Sequence, residues 1–191
     1  MRKWTERAGH DAELLVVPKA GEMLYRLSSP VIVVMGVAGS GKTTVGTRLA
    51  DQLGLPYAEA DEFHPDANIA KMSAGQPLTD EDRRPWLEEI GAWITTRSHD
   101  GGGVVTCSAL KRRYRDLLRQ RAGHVRFAHL TGPHEVIAAR MRQRGDHFMP
   151  PALLDSQLAD LEPLEPDEPG IEIDVTTTIA EVVARVSMLI E

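Results

Sequence analysis

Cysteine, aromatic residues and long apolar runs are all scarce in this chain of 191 residues. Its single cysteine, Cys107, excludes an intrachain disulfide framework and is typical of a reducing compartment. No apolar stretch approaches membrane-spanning length, and the start Met1-Arg2-Lys3-Trp4 lacks the apolar stretch of a signal peptide. Because the net charge is −6 and aromatics make up only 5%, a nucleic-acid surface is not indicated. We therefore expect a cytoplasmic protein that binds neither nucleic acid nor membranes.

What is present is the alternation of an α/β domain. From residue 30 to residue 191, apolar strand-like runs alternate with helical patterns, which predicts one domain with a parallel sheet flanked by helices. The strands are predicted at residues 31–35, 57–60, 104–107, 125–130 and 171–175. Helical spacing of apolar residues follows Asp82, with Trp86 and Trp93 expected in the core. Residues 1–29 precede the first core strand as an N-terminal extension whose structure the sequence does not decide.

The segment Gly36-Val37-Ala38-Gly39-Ser40-Gly41-Lys42-Thr43 matches the phosphate-binding pattern G-x-x-x-x-G-K-[ST] at every fixed position. It follows the β-branched run of residues 31–34 and leads into a predicted helix, which is the context that the motif requires. Glycines let backbone N–H groups face phosphate oxygens, and the helix start adds partial positive charge. The pattern assigns Lys42 to the β- and γ-phosphates of a nucleotide and the Thr43 hydroxyl to a magnesium ion.

Two carboxylates end the second predicted strand. The carboxyl ends of parallel strands open on the ligand crevice, and strand alternation sends Glu59 and Asp61 to the same side. One carboxylate can hold magnesium, and the other can orient or deprotonate an attacking hydroxyl. A solvated acidic strand end is the alternative interpretation.

The polar segment after Asp61 is suited to a small, negatively charged polyol, since it carries the cations Lys71, Arg83 and Arg84. His64 can be interpreted equally well as a ligand contact or as a helix-cap or surface histidine. After the third strand, Ser108 and the N–H groups of the next helix could grip a carboxylate together with Lys111 and Arg115. The neighbouring arginines are better explained by a solvated basic face; they are Arg112, Arg113 and Arg119.

The irregular segment after residue 141 is predicted to form a mobile lid, about residues 142–160, over the nucleotide. Arg140 and Arg144 flank the lid, and a movable arginine can neutralise charge on a phosphoryl group in transfer. Surface salt bridging is the alternative for both arginines. The acidic, proline-rich residues 161–170 are interpreted as a solvated connector.

An ordered set of segments, from about residue 31 to residue 191, resembles the thermoresistant gluconokinase family. These segments are residues 35–43, 61–65, 68–72, 75–87, 107–116 and 145–149. The resemblance implies a three-layer α/β P-loop kinase fold like that of shikimate kinase, with a five-stranded parallel sheet, helices on both faces and a small lid. It also implies a homodimer and transfer of the ATP γ-phosphate to the 6-hydroxyl of D-gluconate, which gives 6-phosphogluconate for the pentose phosphate route. Glu59 stands where many relatives have aspartate.

The motifs and the resemblance together define the expected site. Lys42, Asp61 and Arg140 are the expected catalytic residues. Magnesium is expected at Thr43 and Glu59. The expected ATP contacts are Gly36, Val37, Ala38, Gly39, Ser40, Gly41, Lys42, Thr43, Thr44 and Arg140. The expected gluconate contacts are Asp61, His64, Lys71, Arg83, Ser108, Lys111, Arg115 and His147.

Two other functions stay open at this stage. The nearest is a kinase for shikimate or another small metabolite on the same scaffold. The second, from a different class, is a nucleotide-dependent switch without an acceptor substrate. The sequence has no N-K-x-D motif for reading guanine, which argues against a GTPase switch.

Overall fold

The structure, a computed structural model, describes residues 29–143 and 152–190. The extension predicted before the first strand therefore lies outside the described residues, apart from Ser29. The same holds for Arg144, His147 and the rest of residues 144–151 of the predicted lid.

Five parallel strands form one sheet in the order β2-β3-β1-β4-β5. The predicted sheet is thus confirmed, and each predicted strand boundary lies within one residue of the observed one. The strands are β1 (Val31–Met35), β2 (Tyr57–Glu59), β3 (Gly103–Thr106), β4 (Val125–Thr131) and β5 (Gly170–Asp174).

The helices are α1 (Lys42–Leu53), α2 (Asp66–Ser73), α3 (Asp80–His99), α4 (Arg112–Arg121), α5 (His134–Gln143), α6 (Ala152–Asp160) and α7 (Ile179–Ser187), with a short 3₁₀ turn at Ala60–Phe63. Helix α3 begins earlier than its predicted start at Asp82, because Thr79 and Asp82 form a reciprocal capping box. Helix α2 was not predicted, since Asn68 is its only buried residue and no apolar stripe marks it. Among the described helices, none combines the length and apolar character needed to cross a bilayer.

The core consists of helices packed on both faces of the sheet. Every residue of β1 is buried, and alternate residues face opposite layers. Val33 and Met35 pack in a cluster that includes Trp86 and Leu118 of α3 and α4. On the other face, Ile32 and Val34 share a cluster with residues of α1 and α7. This arrangement confirms the three layers and also the core position of Trp86, while Trp93 packs at the edge of the same cluster.

A third, smaller apolar cluster lies at the carboxyl end of the sheet. It consists of Val37, Leu110, Ile137 and Leu154, all of which are buried. Because Leu154 belongs to α6 and Val37 to the phosphate-binding loop, this cluster seats the helix of the predicted lid directly against that loop.

Candidate active site

The phosphate-binding loop, residues 36–43, connects β1 to α1 at the carboxyl edge of the sheet. Two of its glycines are required by geometry. Gly41 caps α1 with a φ of 98°, which disfavours other residues. Gly39 has a φ of 79°, and a Cβ there would lie 2.4 Å from the Met141 Cγ atom. The loop therefore approaches α5 closely. The N-terminal end of α1 faces the concave side of the loop.

The polar groups of this loop include hydrogen-bond donors that can bind phosphate oxygens. The Lys42 ammonium donates to the Val37 carbonyl at 3.0 Å, which holds it over the loop. The Ser40 hydroxyl is buried and makes no hydrogen bond within the described part of the chain. A buried donor without a partner fits a loop that binds phosphate oxygens. The Ala38 N–H donates to the Gln157 Oε1 atom of α6 at 2.7 Å.

A cavity of about 260 Å³ opens beside the loop. Arg140 of α5 borders it and donates from Nη2 to the Val175 carbonyl at 2.7 Å, so its guanidinium lies between the loop and the end of β5. The segment that follows β5 closes the cavity, and sequence reasoning missed it because no motif marks it. The lining residues are Gly39, Ser40, Gly41, Thr44, Val45, Arg140, Val175, Thr177, Ile179 and Val182.

Glu59, at the end of β2, faces the phosphate-binding loop. Its Oε2 atom accepts from the Thr43 hydroxyl and from the Tyr57 hydroxyl, each at 2.8 Å, and its Oε1 atom accepts from Thr106. Burial raises the pKa of Tyr57, which keeps this hydroxyl protonated as a donor. The adjacent carboxylate and hydroxyl oxygens suit a hard cation such as Mg²⁺, so Thr43 and Glu59 fit the predicted metal role. Tyr57 and Thr106 were not identified from the sequence.

Asp61 lies in the 3₁₀ turn and not in the strand, because β2 ends at Glu59. The argument from strand alternation therefore does not apply to it. Its position at the crevice is given instead by Cys107, just beyond β3, whose thiol is affected electrostatically by the charges of Asp61, Lys42 and Arg83. Burial raises the pKa of this thiol to about 12, so Cys107 is a neutral core residue, as predicted. A carboxylate, a phosphate-loop ammonium and a guanidinium thus lie within electrostatic range of one thiol.

His64 is packed flat against the indole of Trp86, with ring centroids 4.5 Å apart and planes inclined by 9°. Burial, followed by the charge of Arg83, lowers the pKa of His64 to about 4, so the ring is neutral near pH 7. Its Nδ1 atom lies 3.4 Å from the amide nitrogen of the buried Asn68. Lys71 pairs with Asp82 at 2.6 Å on the same side of the site.

Arg83 lies over the ring of Tyr114, with its Cζ atom 5.9 Å from the ring centroid. Arg113 approaches the same ring at 5.5 Å and pairs with Asp80, which also accepts from the Tyr114 hydroxyl. Tyr114 therefore ties the start of α3 to α4 and supports Arg83. The sequence marked Tyr114 only as a helix residue.

The turn after β3 carries Ser108 and is strained. Ala109 is a buried, non-glycine residue with a φ of 42°, a conformation that L side chains rarely adopt. The Ser108 carbonyl accepts from the Gly36 N–H at 3.4 Å, so this turn lies beside the phosphate-binding loop.

Arg115 is a correction to the predicted site. Its side chain is fully buried and forms a two-pronged salt bridge with the buried Glu168, at 2.6 and 2.7 Å. Burial alone would raise the pKa of Glu168, but the bonds from Arg115 lower it. The remaining N–H groups of Arg115 donate to backbone carbonyls, so none is left for substrate; the acceptors are Ala109, Leu110, Glu162 and Pro163.

The connector at residues 161–170 is likewise not simply solvated. Arg112 reaches across to it and binds Glu165 and Asp167 at 2.8 and 2.7 Å, and Arg119 donates to the Asp167 carbonyl at 3.3 Å. Sequence reasoning interpreted both arginines as a solvated face, but their partners are acidic residues far along the chain. The N–H of Arg112 at the start of α4 is occupied by the Glu162 carboxylate. Lys111 pairs with Asp160, the last residue of α6, at 3.0 Å.

Comparison with known proteins identifies relatives over most of the chain. A family model described as shikimate kinase matches residues 38–165. The chain is 50% identical to a gluconokinase of Gluconobacter oxydans (strain 621H) over 143 residues, which cover 74% of this chain and 80% of that protein. A crystal structure of a sugar kinase from Janibacter sp. HTCC2649 is similar with a TM-score of 0.80 and 52% identity, over 84% of this chain and 94% of that one. A gluconokinase from Sinorhizobium meliloti 1021 gives a TM-score of 0.77 at 46% identity, over 84% and 91%.

Proposed function

This chain belongs to the gluconokinase family, and we propose that it transfers the γ-phosphate of ATP to the 6-hydroxyl of D-gluconate. In this reaction a bond forms between the hydroxyl oxygen and the γ-phosphorus, while the bond from that phosphorus to the ADP oxygen breaks. The proton of the hydroxyl must leave as the new bond forms. The described residues supply a group for each of these tasks.

On the nucleotide side, the loop of residues 36–43 and the start of α1 receive the phosphates. The N–H groups and Lys42 offset the negative charge of the phosphates, and the buried Ser40 hydroxyl gains a partner when an oxygen approaches it. Thr44 and Arg140 border the cavity that would hold the rest of ATP. From its place beside the loop, Arg140 can add positive charge during phosphoryl transfer.

On the acid side, Asp61 is proposed to orient the 6-hydroxyl and accept its proton. Arg83 supplies positive charge for the carboxylate end of gluconate, and Ser108 supplies a hydroxyl near the loop. His64, which is neutral and fixed against Trp86, offers a hydrogen bond to the polyol without adding charge. Lys71 can contact gluconate only if it leaves its ion pair with Asp82. The contact of His147 with gluconate stays a prediction from the sequence.

Magnesium is proposed to be held by Thr43 and Glu59 together with the nucleotide's phosphates. The fit rests on the 2.8 Å contact between the Thr43 hydroxyl and the Glu59 carboxylate, two oxygen donors that suit this ion. When bound, the ion neutralises charge that develops on the phosphates. The chain's own part is to keep the Glu59 carboxylate aimed at the loop, which the hydroxyls of Tyr57 and Thr106 do by donating hydrogen bonds to it.

The observation that carries this proposal is the hydrogen bond between the Thr43 hydroxyl of the phosphate-binding loop and the Glu59 carboxylate, at 2.8 Å, in a chain that is 50% identical to a gluconokinase over 143 residues. The charges of Lys42, Asp61 and Arg83 all act on the Cys107 thiol, which supports a common site for these three residues. The proposal assigns phosphate recognition, hydroxyl activation and acid recognition to one crevice. A nucleotide switch would need the first of these alone.

The decisive test is a coupled ADP-release assay with D-gluconate, related aldonates, shikimate and nucleoside monophosphates as acceptors. We expect kcat/KM to be highest for gluconate and the product to carry phosphate on the 6-oxygen by NMR. A Lys42→Ala variant should be inactive with every acceptor and serves as the background. Equal or greater activity on shikimate, or ATP hydrolysis that no sugar acid stimulates, would contradict the proposal.

Three further properties are proposed from the family resemblance. They are a homodimeric state, a cytoplasmic location and the supply of 6-phosphogluconate to the pentose phosphate route. Sedimentation equilibrium of the purified full chain tests the first, with a mass near twice 21.0 kDa as the expected result.

A further inference from the structure

Carboxylates of residues 160–168 occupy the anion-binding groups that the sequence assigned to the substrate. Asp160 pairs with Lys111, Glu162 accepts from the Arg112 N–H, and Glu168 binds Arg115. The chain therefore places its own acidic groups where a sugar acid's carboxylate was expected.

These three pairs differ in how readily a ligand could replace them. Both partners in the Arg115–Glu168 pair are fully buried, so exchange would leave a charge without a partner in the interior. The Lys111–Asp160 pair has one contact, and its side chains are 20% and 43% exposed. Exposed ion pairs are weak, so a substrate carboxylate can compete with Asp160 but not with Glu168.

Lys111 also lies on the acid side of the site. It lies directly before α4, and its carbonyl accepts from the Tyr114 N–H at 3.0 Å. The Tyr114 hydroxyl donates to Asp80, and Arg83 lies over the Tyr114 ring. A carboxylate drawn toward Arg83 therefore comes under the influence of Lys111 as well.

Asp160 is unfavourable for the helix that carries it. It is the last residue of α6, where the helix dipole disfavours negative charge, and the last turn of α6 has no basic residue. Its pairing with Lys111 on α4's side of the site is thus a better explanation for this carboxylate than stabilisation of the helix.

Helix α6 is held by other contacts as well. Leu154 is buried in one cluster with Val37 and Leu110. Gln157 accepts from the Ala38 N–H, and the Glu162 N–H donates to the Leu110 carbonyl at 2.9 Å. Removing the charge of Asp160 therefore leaves the helix in place, so that a variant reports on the charge and not on folding.

We propose that Asp160 is a specificity-determining residue, whose carboxylate competes with that of the acid substrate for Lys111 and so raises the KM for that substrate. This inference rests on the proposed function. It explains why Lys111 is already paired. It also predicts that the enzyme binds its acid substrate less tightly than it would if Lys111 were not paired with Asp160.

The test is the KM for gluconate of the full-length Asp160→Asn variant at saturating ATP. We expect KM to fall about two- to fivefold, the range that an exposed ion pair produces, while kcat changes little. Asp160→Glu should keep the wild-type value, because it retains the charge. Asp155→Asn is the matched control, since Asp155 lies on the same helix, is 76% exposed and pairs with His134.

A second control removes the carboxylate from the ligand. D-Glucitol, a polyol of the same length, is used as a competitive inhibitor, and its inhibition constant should be the same for wild type and Asp160→Asn. The inference is wrong if Asp160→Asn leaves KM unchanged or raises it, if Asp155→Asn lowers KM equally, or if glucitol binding changes in parallel. If the wild type phosphorylates gluconate and one of these results is found, the inference about Asp160 fails but the proposed function stands. If the wild type phosphorylates no sugar acid, both the inference and the proposed function are refuted.

Discussion

Asp61 owes its proposed role to its surroundings and not to a strand position. It lies in a short 3₁₀ turn after β2, and its charge, with those of Lys42 and Arg83, acts on the Cys107 thiol. A carboxylate placed near positively charged groups at the crevice suits the proposed role of accepting a proton during transfer.

Replacing Asp61 by Asn should separate binding from chemistry. The amide keeps the size of the side chain and its hydrogen bonding but cannot accept a proton. We expect kcat to fall by about a hundredfold or more, while the affinity for a non-hydrolysable ATP analogue, measured by calorimetry, stays near that of the wild type. Normal turnover of Asp61→Asn would refute the assigned role.

His64 should link stability to pH. Its pKa is about 4 in the folded chain and 6.5 in the reference state, so between these values the unfolded chain binds more protons. Its contribution to stability is therefore fully present above about pH 6.5 and is lost as the pH falls toward 4. His64→Phe keeps a ring on Trp86 without titrating.

The measurement is the free energy of unfolding by urea, followed from pH 7 to pH 4 for wild type and His64→Phe. We expect the variant to lose less stability over this range than the wild type. His124→Asn replaces an exposed histidine and serves as the comparison. Parallel curves for wild type and His64→Phe would show that the stacked ring does not resist protonation.

At the scale of elements, a buried arginine supports the backbone of the candidate site. Arg115 of α4 donates to the carbonyls of Ala109 and Leu110, and through Glu168 it also fixes the connector that follows α6. The strained conformation of Ala109 persists because these contacts hold it. The positions of Ser108 and Lys111 therefore depend on Arg115.

Arg115→Met should destabilise the protein by about 3–5 kcal/mol, because Glu168 keeps a buried charge without its partner. Thermal and urea unfolding measure this loss. The double variant Arg115→Met, Glu168→Leu should recover part of it, since both charges are then removed. If Arg115→Met were as stable as the wild type and raised only the KM for gluconate, the original prediction of a substrate contact would be right.

Local signals were sufficient for the strands and for the helices that carry an apolar stripe, but not for α2 or for the long-range partners of polar side chains. The phosphate-binding loop and the strands of β-branched residues are encoded within short windows, so the sheet and the place of Lys42 could be predicted. Arg115 was misassigned because its acceptor, Glu168, lies 53 residues away in a segment whose composition is typical of a solvated loop. Pairing across such distances leaves no periodic trace in a single sequence.

For the molecule as a whole, ligand binding and stability are coupled through the carboxyl edge of the sheet. The cavity is bounded by the phosphate-binding loop, by Arg140 and by the segment after β5, so that a nucleotide bound there would contact elements from both halves of the chain. A ligand that bridges them should stabilise the folded chain as a unit.

A non-hydrolysable ATP analogue at about a hundred times its dissociation constant should raise the free energy of unfolding by about 2.7 kcal/mol. The measurement is urea unfolding with and without the analogue and magnesium. Lys42→Ala at the same analogue concentration should show a smaller increase. No increase in the wild type would mean that the cavity does not bind the nucleotide.

The lone sulfhydryl beneath the crevice has a practical consequence. Cys107 is 1% exposed and is the chain's one cysteine, so an alkylating dye can enter only when the structure around it opens. Labelling kinetics would then time that opening on the unmodified enzyme, with one fluorophore per chain and no engineered reporter. A substrate that slows this opening would lower the rate at which Cys107 is labelled, and the rate can be measured from the area of one labelled peak on chromatography.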